Sequence, residues 1–202
     1  YIDVQDFNTL NQQLDLYLLK VIKPLSEKFS LGTNEQRWFF IRYGEGGFHF
    51  RLRFLIDSAE DRNFMIEQLK NLNESFSRAH KKHLTVLRVE QDQYQPELDK
   101  YGGVENMSNV ELHFAQSSEL ALKIIALAVT SGVKKEQVAL WLLFHTCQSL
   151  AMSDKCSMLV LLGYSHFWSK LLGAKAADFE QAMESNYQKR KANLSLFFSD
   201  NP

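Results

Sequence analysis

The stretch that decides the fold is WFFIRY at residues 38–43 together with HFRLRF at residues 49–54. Both runs are rich in aromatic and branched apolar residues, and the glycine-rich residues 44–47 lie between them. Such runs favour extended backbone, and glycines between them favour a tight reversal. The sequence therefore predicts a β-hairpin with a turn at residues 44–47.

The second run carries a basic side chain at every other position, at His49, Arg51 and Arg53. Alternate side chains of a strand share a face, so these three side chains should line one face and the apolar side chains the other. A guanidinium is costly to bury unless it meets water or an anion. This cationic face is therefore the first candidate for a functional site.

Helical and extended patterns surround the hairpin. A helix is predicted over 7–22, with Pro24 interrupting or following it, and another over 59–76 with Asp57-Ser58 as its cap. A third strand is predicted over 84–92. The remaining segments are a structured loop over 94–109 and helices over 111–129, 134–149, 155–172 and 177–197.

This order of elements predicts the fold class α+β: a small antiparallel sheet with packed helices, followed by a helical C-terminal half. The length of 202 residues fits a single domain over residues 1–202. Within it, residues 1–110 should form a strand-rich part and residues 111–202 a helical part.

Composition argues against several classes of protein. The net charge of −1 is untypical of a nucleic-acid-binding protein. The most apolar run, residues 120–129, is too short to span a membrane and is interrupted by Lys123. Cys147 and Cys156 do not form a disulfide or zinc pattern, which favours a cytoplasmic protein without a metal site.

A second motif lies at residues 94–103, YQPELDKYGG. Paired glycines after Lys100-Tyr101 indicate a sharp turn or a close approach of the backbone to another group. Together with IRY at residues 41–43, HFRLRF at 49–54 and ELHFAQSS at 111–118, this motif resembles the C-terminal domain of lantibiotic dehydratases. The same domain occurs alone as the thiopeptide-type bacteriocin biosynthesis protein.

The resemblance implies a lyase that eliminates glutamate from glutamylated Ser or Thr of a ribosomally made precursor peptide, leaving a dehydroamino acid. It implies no cofactor. It implies a separate protein that transfers glutamate from glutamyl-tRNA, and assembly as a homodimer is compatible with it. The residues expected in catalysis are Arg51, Arg53 and Lys100, which stand at positions of the family motifs, and His49, which shares the face of the two arginines. Those expected in substrate binding are Arg42, Glu97, Tyr101, Gly102 and Gly103 of the quoted motifs.

These side-chain types suit an elimination. Arginine binds a carboxylate through two parallel hydrogen bonds, and Arg51 and Arg53 match the paired arginines of the family. His49 shares their face, and the neighbouring positive charges favour a neutral imidazole that can act as the base.

The chain departs from the family pattern at two places. Lys100 stands where an arginine usually precedes Tyr-Gly-Gly, and no histidine follows His166, although a histidine near the C-terminus is usual. Two alternatives therefore stay open. One is a pyridine-forming [4+2] cyclase of the thiopeptide type, and the other is a non-catalytic subunit that binds a precursor peptide or a partner enzyme.

Overall fold

A computed structural model describes residues 1–4, 10–30, 38–43, 47–80, 84–86, 88–171, 181 and 184–192. The chain divides into two compact units, Tyr1–Val138 and Ala139–Pro202. The described residues bear out the α+β class: a small antiparallel sheet with packed helices precedes a helical remainder. The single-domain interpretation stays a prediction.

The predicted hairpin forms in the first unit. Strands β2 (Trp38–Tyr43) and β3 (His49–Phe54) pair antiparallel, with Trp38 opposite Phe54 and Tyr43 opposite His49. Residues 44–46 of the predicted turn lie outside the described residues. Two shorter strands, β1 (Ile2–Val4) and β4 (Leu84–Val86), form a second antiparallel pair, so the third predicted strand is shorter than residues 84–92.

Pro24 shapes the N-terminal helical segment. Helix α1 (Leu10–Tyr17) runs into a π-helical turn at Leu18–Ile22 and then into helix α2 (Lys23–Ser30). Proline has no N–H to donate to the carbonyl four residues earlier. In the turn just before it the hydrogen bonds span five residues, and the N–H of Lys23 donates to the carbonyl of Leu18. The interruption predicted at Pro24 therefore widens the helix just before the proline and leaves it continuous.

Helix α3 (Ala59–His80) begins where its cap was predicted. The Ser58 hydroxyl accepts a hydrogen bond from the N–H of Asp61 at 2.9 Å and donates one to the Asp61 carboxylate at 2.7 Å. This arrangement satisfies an N–H that has no partner inside the helix.

Helix α4 (Val104–Ser131) starts directly after Gly103, seven residues before the predicted start of a helix at residue 111. It is the one described helix that is long and apolar enough to cross a membrane by length and composition. Met107, Ala115, Leu122 and Ile125 are nevertheless buried, as expected of a helix that packs on a core.

The core of the first unit lies between the hairpin, the π-helical turn, α3 and α4. Leu18, Val21 and Ile22 are fully buried at its centre, and Trp38 is 3% exposed. The Tyr17 ring stacks on Phe50 and meets Phe76 edge-on, and its hydroxyl donates to Asn73 Oδ1 at 2.7 Å. Burial raises the pKa of the Tyr17 phenol, which keeps this donor protonated.

The described residues of the second unit are mostly helical. Helix α5 (Lys135–Ser149) extends into it from the first unit, and helix α6 (Asp154–Leu171) follows. Residues 184–192 are also helical, and the rest of the helix predicted over 177–197, residue 181 aside, lies outside the described residues. Cys147 is a buried free thiol and Cys156 an exposed one.

Candidate functional site

The two faces of the hairpin are different in kind. Opposite residues of an antiparallel pair share a face. One face therefore presents aromatic and leucine side chains that pack against the core: Trp38, Phe40, Phe50, Leu52 and Phe54. The other face carries Phe39, Ile41 and Tyr43 opposite Arg53, Arg51 and His49. The predicted cationic face therefore forms as the alternation requires.

His49 and Arg51 interact side by side at the exposed end of this face. The Nε–H of Arg51 donates to His49 Nε2 at 3.4 Å, and His49 Nδ1 lies 2.8 Å from the carbonyl oxygen of Gly47. With Arg51 as the donor, Nε2 acts as the acceptor, and this arrangement matches the tautomer that carries its proton on Nδ1, next to the Gly47 carbonyl. The guanidinium of Arg51 also lies 3.7 Å from the centre of the Tyr43 ring.

Arg53 lies against a tyrosine that was predicted only as part of the loop motif. Its guanidinium is 5.4 Å from the centre of the Tyr94 ring, and its Nη1 donates to the carbonyl oxygen of Leu52 at 3.1 Å. Burial, followed by the interaction with Glu111 of α4, raises the pKa of Tyr94 to about 12, so the phenol keeps its proton.

Lys100 is held by a carboxylate of its own loop. Its Nζ donates to Glu97 Oε2 at 3.0 Å, three residues earlier in the chain, and the side chain is exposed. This hydrogen bond to Glu97 raises the pKa of Lys100. Two predicted site residues, Lys100 and Glu97, thus pair with each other.

The loop that carries Lys100 lies on the same face of the hairpin as Arg53, because a row of aromatic contacts connects them. Tyr94 meets Phe39 edge-on, Phe39 contacts Phe114 of α4, and Phe114 meets the ring of Tyr101. Lys100 Nζ lies 5.2 Å from the centre of the Tyr101 ring. The contacts of Tyr101 are thus with neighbours that position the loop.

Gly102 and Gly103 are explained by the backbone. Their φ angles of 82° and 94° lie in the region that side chains disfavour. A Cβ atom at Gly102 would also lie 2.8 Å from the side chain of Asn106, whose Nδ2 donates to the Gly102 carbonyl at 3.0 Å. The glycine pair therefore turns the chain from the loop into α4.

Arg42 lies apart from the other predicted site residues. It is on the core-packed face of the hairpin and forms an ion pair with Asp15 of α1. Lys135 donates to the other oxygen of the same buried carboxylate. These contacts connect β2, α1 and the start of α5, and they account for Arg42 without a substrate.

An open groove of about 1110 Å³ lies along β3 in the first unit. It is bounded by β3, by the start of α3 and by residues 88–94. Its lining includes His49, Arg51 and Arg53, and the basic side chains Arg62, Lys70 and Arg88 face it as well. Arg51 and Arg53 form no ion pair with a carboxylate among the residues that the structure describes.

The structure thus gathers three of the nine predicted site residues, His49, Arg51 and Arg53, beside one groove. Its lining includes Tyr94 but none of the residues from Glu97 to Gly103. Sequence reasoning missed individual roles for Tyr94 and Glu111, although both belong to the quoted motifs. A tyrosine and a glutamate at a spacing of 17 residues give no local signal that they will meet.

Comparison with known proteins assigns the family. A family model for the C-terminal part of lantibiotic biosynthesis dehydratases matches residues 8–200. The chain belongs to this family. The resemblance predicted from the hairpin and loop motifs is therefore confirmed over almost the whole chain, including the helical part.

A solved structure agrees with this membership in the lantibiotic dehydratase family. The chain is similar to the tRNA-dependent lantibiotic dehydratase MibB from Microbispora sp. 107891, with a TM-score of 0.50 and 25% sequence identity. The match covers 61% of this chain and 12% of the MibB chain, so the chain corresponds to a small part of that enzyme. Curated proteins gave no match.

Proposed function

We propose that this lantibiotic dehydratase C-terminal protein eliminates glutamate from glutamylated Ser or Thr residues of a precursor peptide, as a lyase of ribosomal peptide maturation. The observation that carries the proposal is the pair Arg51 and Arg53. Both guanidiniums line an open groove, and neither is neutralised by a described carboxylate. Membership in the family supplies the reaction class.

The proposed reaction begins with proton removal by His49. Its Nε2 takes the Cα proton of the modified residue, after exchanging the hydrogen bond from Arg51 for the substrate. The electron pair forms the Cα=Cβ double bond, the bond from Cβ to the ester oxygen breaks, and glutamate leaves as a carboxylate. The products are a dehydroamino acid and free glutamate.

In this proposal the two arginines stabilise negative charge at both ends of the reaction. Arg51 is adjacent to the base and is placed to bind the oxygen that becomes enolate-like. Arg53, held against Tyr94, is placed to receive the departing carboxylate. A donor aimed at charge that develops in the transition state contributes about 3–4 kcal/mol in a sheltered site.

Lys100 and Tyr101 have a supporting role in this proposal, since both pair within their own loop. Glu97 fixes the Lys100 ammonium, and the loop holds Tyr94 against Arg53. Arg42 is assigned to the fold through Asp15. Lys100 becomes a substrate ligand only if a substrate carboxylate displaces Glu97.

The test is to incubate the purified chain with a synthetic peptide carrying an O-glutamyl serine and to follow the loss of glutamic acid by mass spectrometry. The variants are Arg51→Ala, Arg53→Ala and His49→Gln, with Arg78→Ala on α3 as a matched control. The proposal expects elimination by the native chain and the control alone. No elimination by the native chain, or full elimination by Arg53→Ala, contradicts it.

A [4+2] cyclase of the thiopeptide type is the second candidate, and the volume of the groove favours it, because a peptide with two dehydroalanines needs a large site. A peptide carrying two dehydroalanines is the substrate that separates the candidates. Pyridine formation with no loss of glutamate from the first peptide supports the cyclase. Binding of both peptides without turnover supports a non-catalytic subunit.

The proposal also includes the partners, the location and the assembly of the protein. Its partners are the precursor peptide and a separate protein that attaches glutamate from glutamyl-tRNA. Two free thiols among the described residues are compatible with a cytoplasmic protein. Action as a single domain over residues 1–202 and self-association as a homodimer belong to the same proposal, and size measurements in solution test the second.

A further inference from the structure

Within the described part of the chain, the outer edge of β3 has no strand partner over most of its length, and β3 lines the groove. The N–H of Phe40 donates to the Ser118 hydroxyl at 3.1 Å, so the Phe40 backbone points away from β3. Phe40 is opposite Leu52, and hydrogen-bonded and non-hydrogen-bonded pairs alternate along an antiparallel ladder. Arg51 and Arg53 therefore bond to β2, whereas the backbone of Phe50, Leu52 and Phe54 points outward.

Few of these outward groups have partners in the described part of the chain. At the start of the strand, the N–H of Ile2 donates to the Phe48 carbonyl at 2.8 Å. The Leu52 carbonyl accepts from Arg53 Nη1. The N–H groups of Phe50, Leu52 and Phe54 and the carbonyls of Phe50 and Phe54 have no described protein partner. The other sheet edge, along β2, is covered by α4 through Ser118.

We infer that the β3 edge binds a segment of the substrate peptide as an added strand. This rests on the proposed function, since it names how the substrate of that same groove is held. The free edge from Phe50 to Phe54 is about 13 Å long, which suits roughly five residues of extended peptide. Main-chain hydrogen bonds bind such a strand without regard to its sequence, and pockets or charges then select it.

Charge identifies the kind of peptide. The groove is lined by Arg51, Arg53, Arg62, Lys70 and Arg88 against three acidic residues, Asp57, Glu90 and Asp92. Arg88 pairs with Glu90 at 3.1 Å, which leaves the other four basic side chains of the lining against Asp57 and Asp92. An extended segment that carries a carboxylate fits this surface better than a neutral one.

The docked strand also explains how one groove serves modified residues in different sequences. Backbone pairing fixes the register of the peptide, and side chains of alternate residues then point to the face that carries Arg51 and Arg53. A modified serine or threonine at such a position is presented to His49 and the arginines. The residues between point to the opposite side of the sheet edge.

Amide hydrogen exchange followed by NMR tests this inference with a built-in control. The probe is a short capped peptide of alternating threonine and serine with one central glutamate, added to the full chain. We expect exchange at Phe50, Leu52 and Phe54 to slow at least about tenfold at saturation, with Arg51 and Arg53 unchanged because β2 already protects them. Replacing the glutamate of the probe by glutamine should weaken binding by roughly tenfold.

Three results overturn the inference. One is peptide binding that leaves the three edge amides unchanged. Another is equal protection by a peptide of the same sequence that is methylated at every backbone nitrogen and cannot donate. The third is protection without peptide that grows with protein concentration, since a second copy of the chain then occupies the edge. Edge protection without elimination refutes the proposed function alone, and elimination without edge protection refutes the docking alone.

Discussion

The two faces of one hairpin treat their arginines in opposite ways. Arg42 projects from the core-packed face and is neutralised by Asp15, which Lys135 shares. Arg51 and Arg53 project from the other face and rest on the rings of Tyr43 and Tyr94, without a described carboxylate. A buried ion pair holds the fold together, whereas a guanidinium supported by an aromatic ring keeps its donors available for an anion.

The same comparison separates stability from activity along the chain. The core-packed face meets the fully buried π-helical turn at Leu18–Ile22, so changes there act on folding. The cationic face meets a groove, so the proposed function predicts that changes there act on the substrate. Four predictions test this separation.

The largest effect on stability is expected at Trp38, which stacks on Phe40 and Phe54 in the core-packed face. Trp38→Ala leaves a cavity and should lower the free energy of unfolding by about 3–5 kcal/mol. The matched control is Ile41→Ala on the other face, where the side chain is 38% exposed and the loss should be smaller. Urea denaturation measures both, and equal losses contradict the separation of the faces.

The largest effect on activity is expected at Arg53. Arg53→Ala should reduce elimination by about a hundred- to a thousandfold, because a donor to the departing carboxylate is lost. The free energy of unfolding should change by no more than about 0.5 kcal/mol, since the side chain faces the groove. Arg53→Lys keeps the charge without the fork and should recover part of the rate. If the loss of stability in Arg53→Ala accounts for its loss of activity, Arg53 has a structural role and the prediction is wrong.

A smaller loss of stability is expected at Asp15. Asp15→Ala leaves Arg42 and Lys135 without their shared carboxylate and should cost roughly 1–3 kcal/mol, less than for a fully buried pair because both cations are partly exposed. Glu67→Ala, at an exposed position of α3, is the control. Binding of the peptide probe should survive in folded Asp15→Ala. Loss of that binding would show that Arg42 takes part in substrate binding, as the sequence predicted.

The smallest effect is expected from Tyr94 at alkaline pH. Its pKa is raised from 10 to about 12 in the folded chain, so the folded state keeps a proton that the unfolded state releases. The contribution of Tyr94 to stability is therefore complete below pH 10 and is lost as pH rises from 10 to about 12. Tyr94→Phe should flatten this part of the pH dependence. Absorbance at 295 nm checks the cause, because the native chain and Tyr94→Phe should show the same tyrosinate signal up to about pH 10.5. An extra tyrosinate in the native chain by that pH contradicts the raised pKa.

The hairpin shows how far local sequence patterns extend. Its strands, and the face that His49, Arg51 and Arg53 share, follow from the alternation of apolar and basic residues. The cap of α3 at Ser58 follows from the chemistry of one turn. The start of α4 was predicted wrongly, because the paired glycines before it were interpreted as part of a longer loop. Gly103 in fact precedes the first helical residue, and Glu105 in the first turn is the signal that could have corrected it.

The sequence by itself determined which side chains share a face, because the backbone geometry of a strand or a helix makes that a local property. Tertiary structure alone decided which of the three arginines is neutralised. The partner of Arg42 lies 27 residues away in the chain, and that partner's second cation lies 120 residues from it. It also decided that the Tyr94 ring lies against Arg53, since residues so far apart in the chain meet only in the packed fold. Charge pairing at such separations depends on the whole packed core, and no short stretch of sequence contains it.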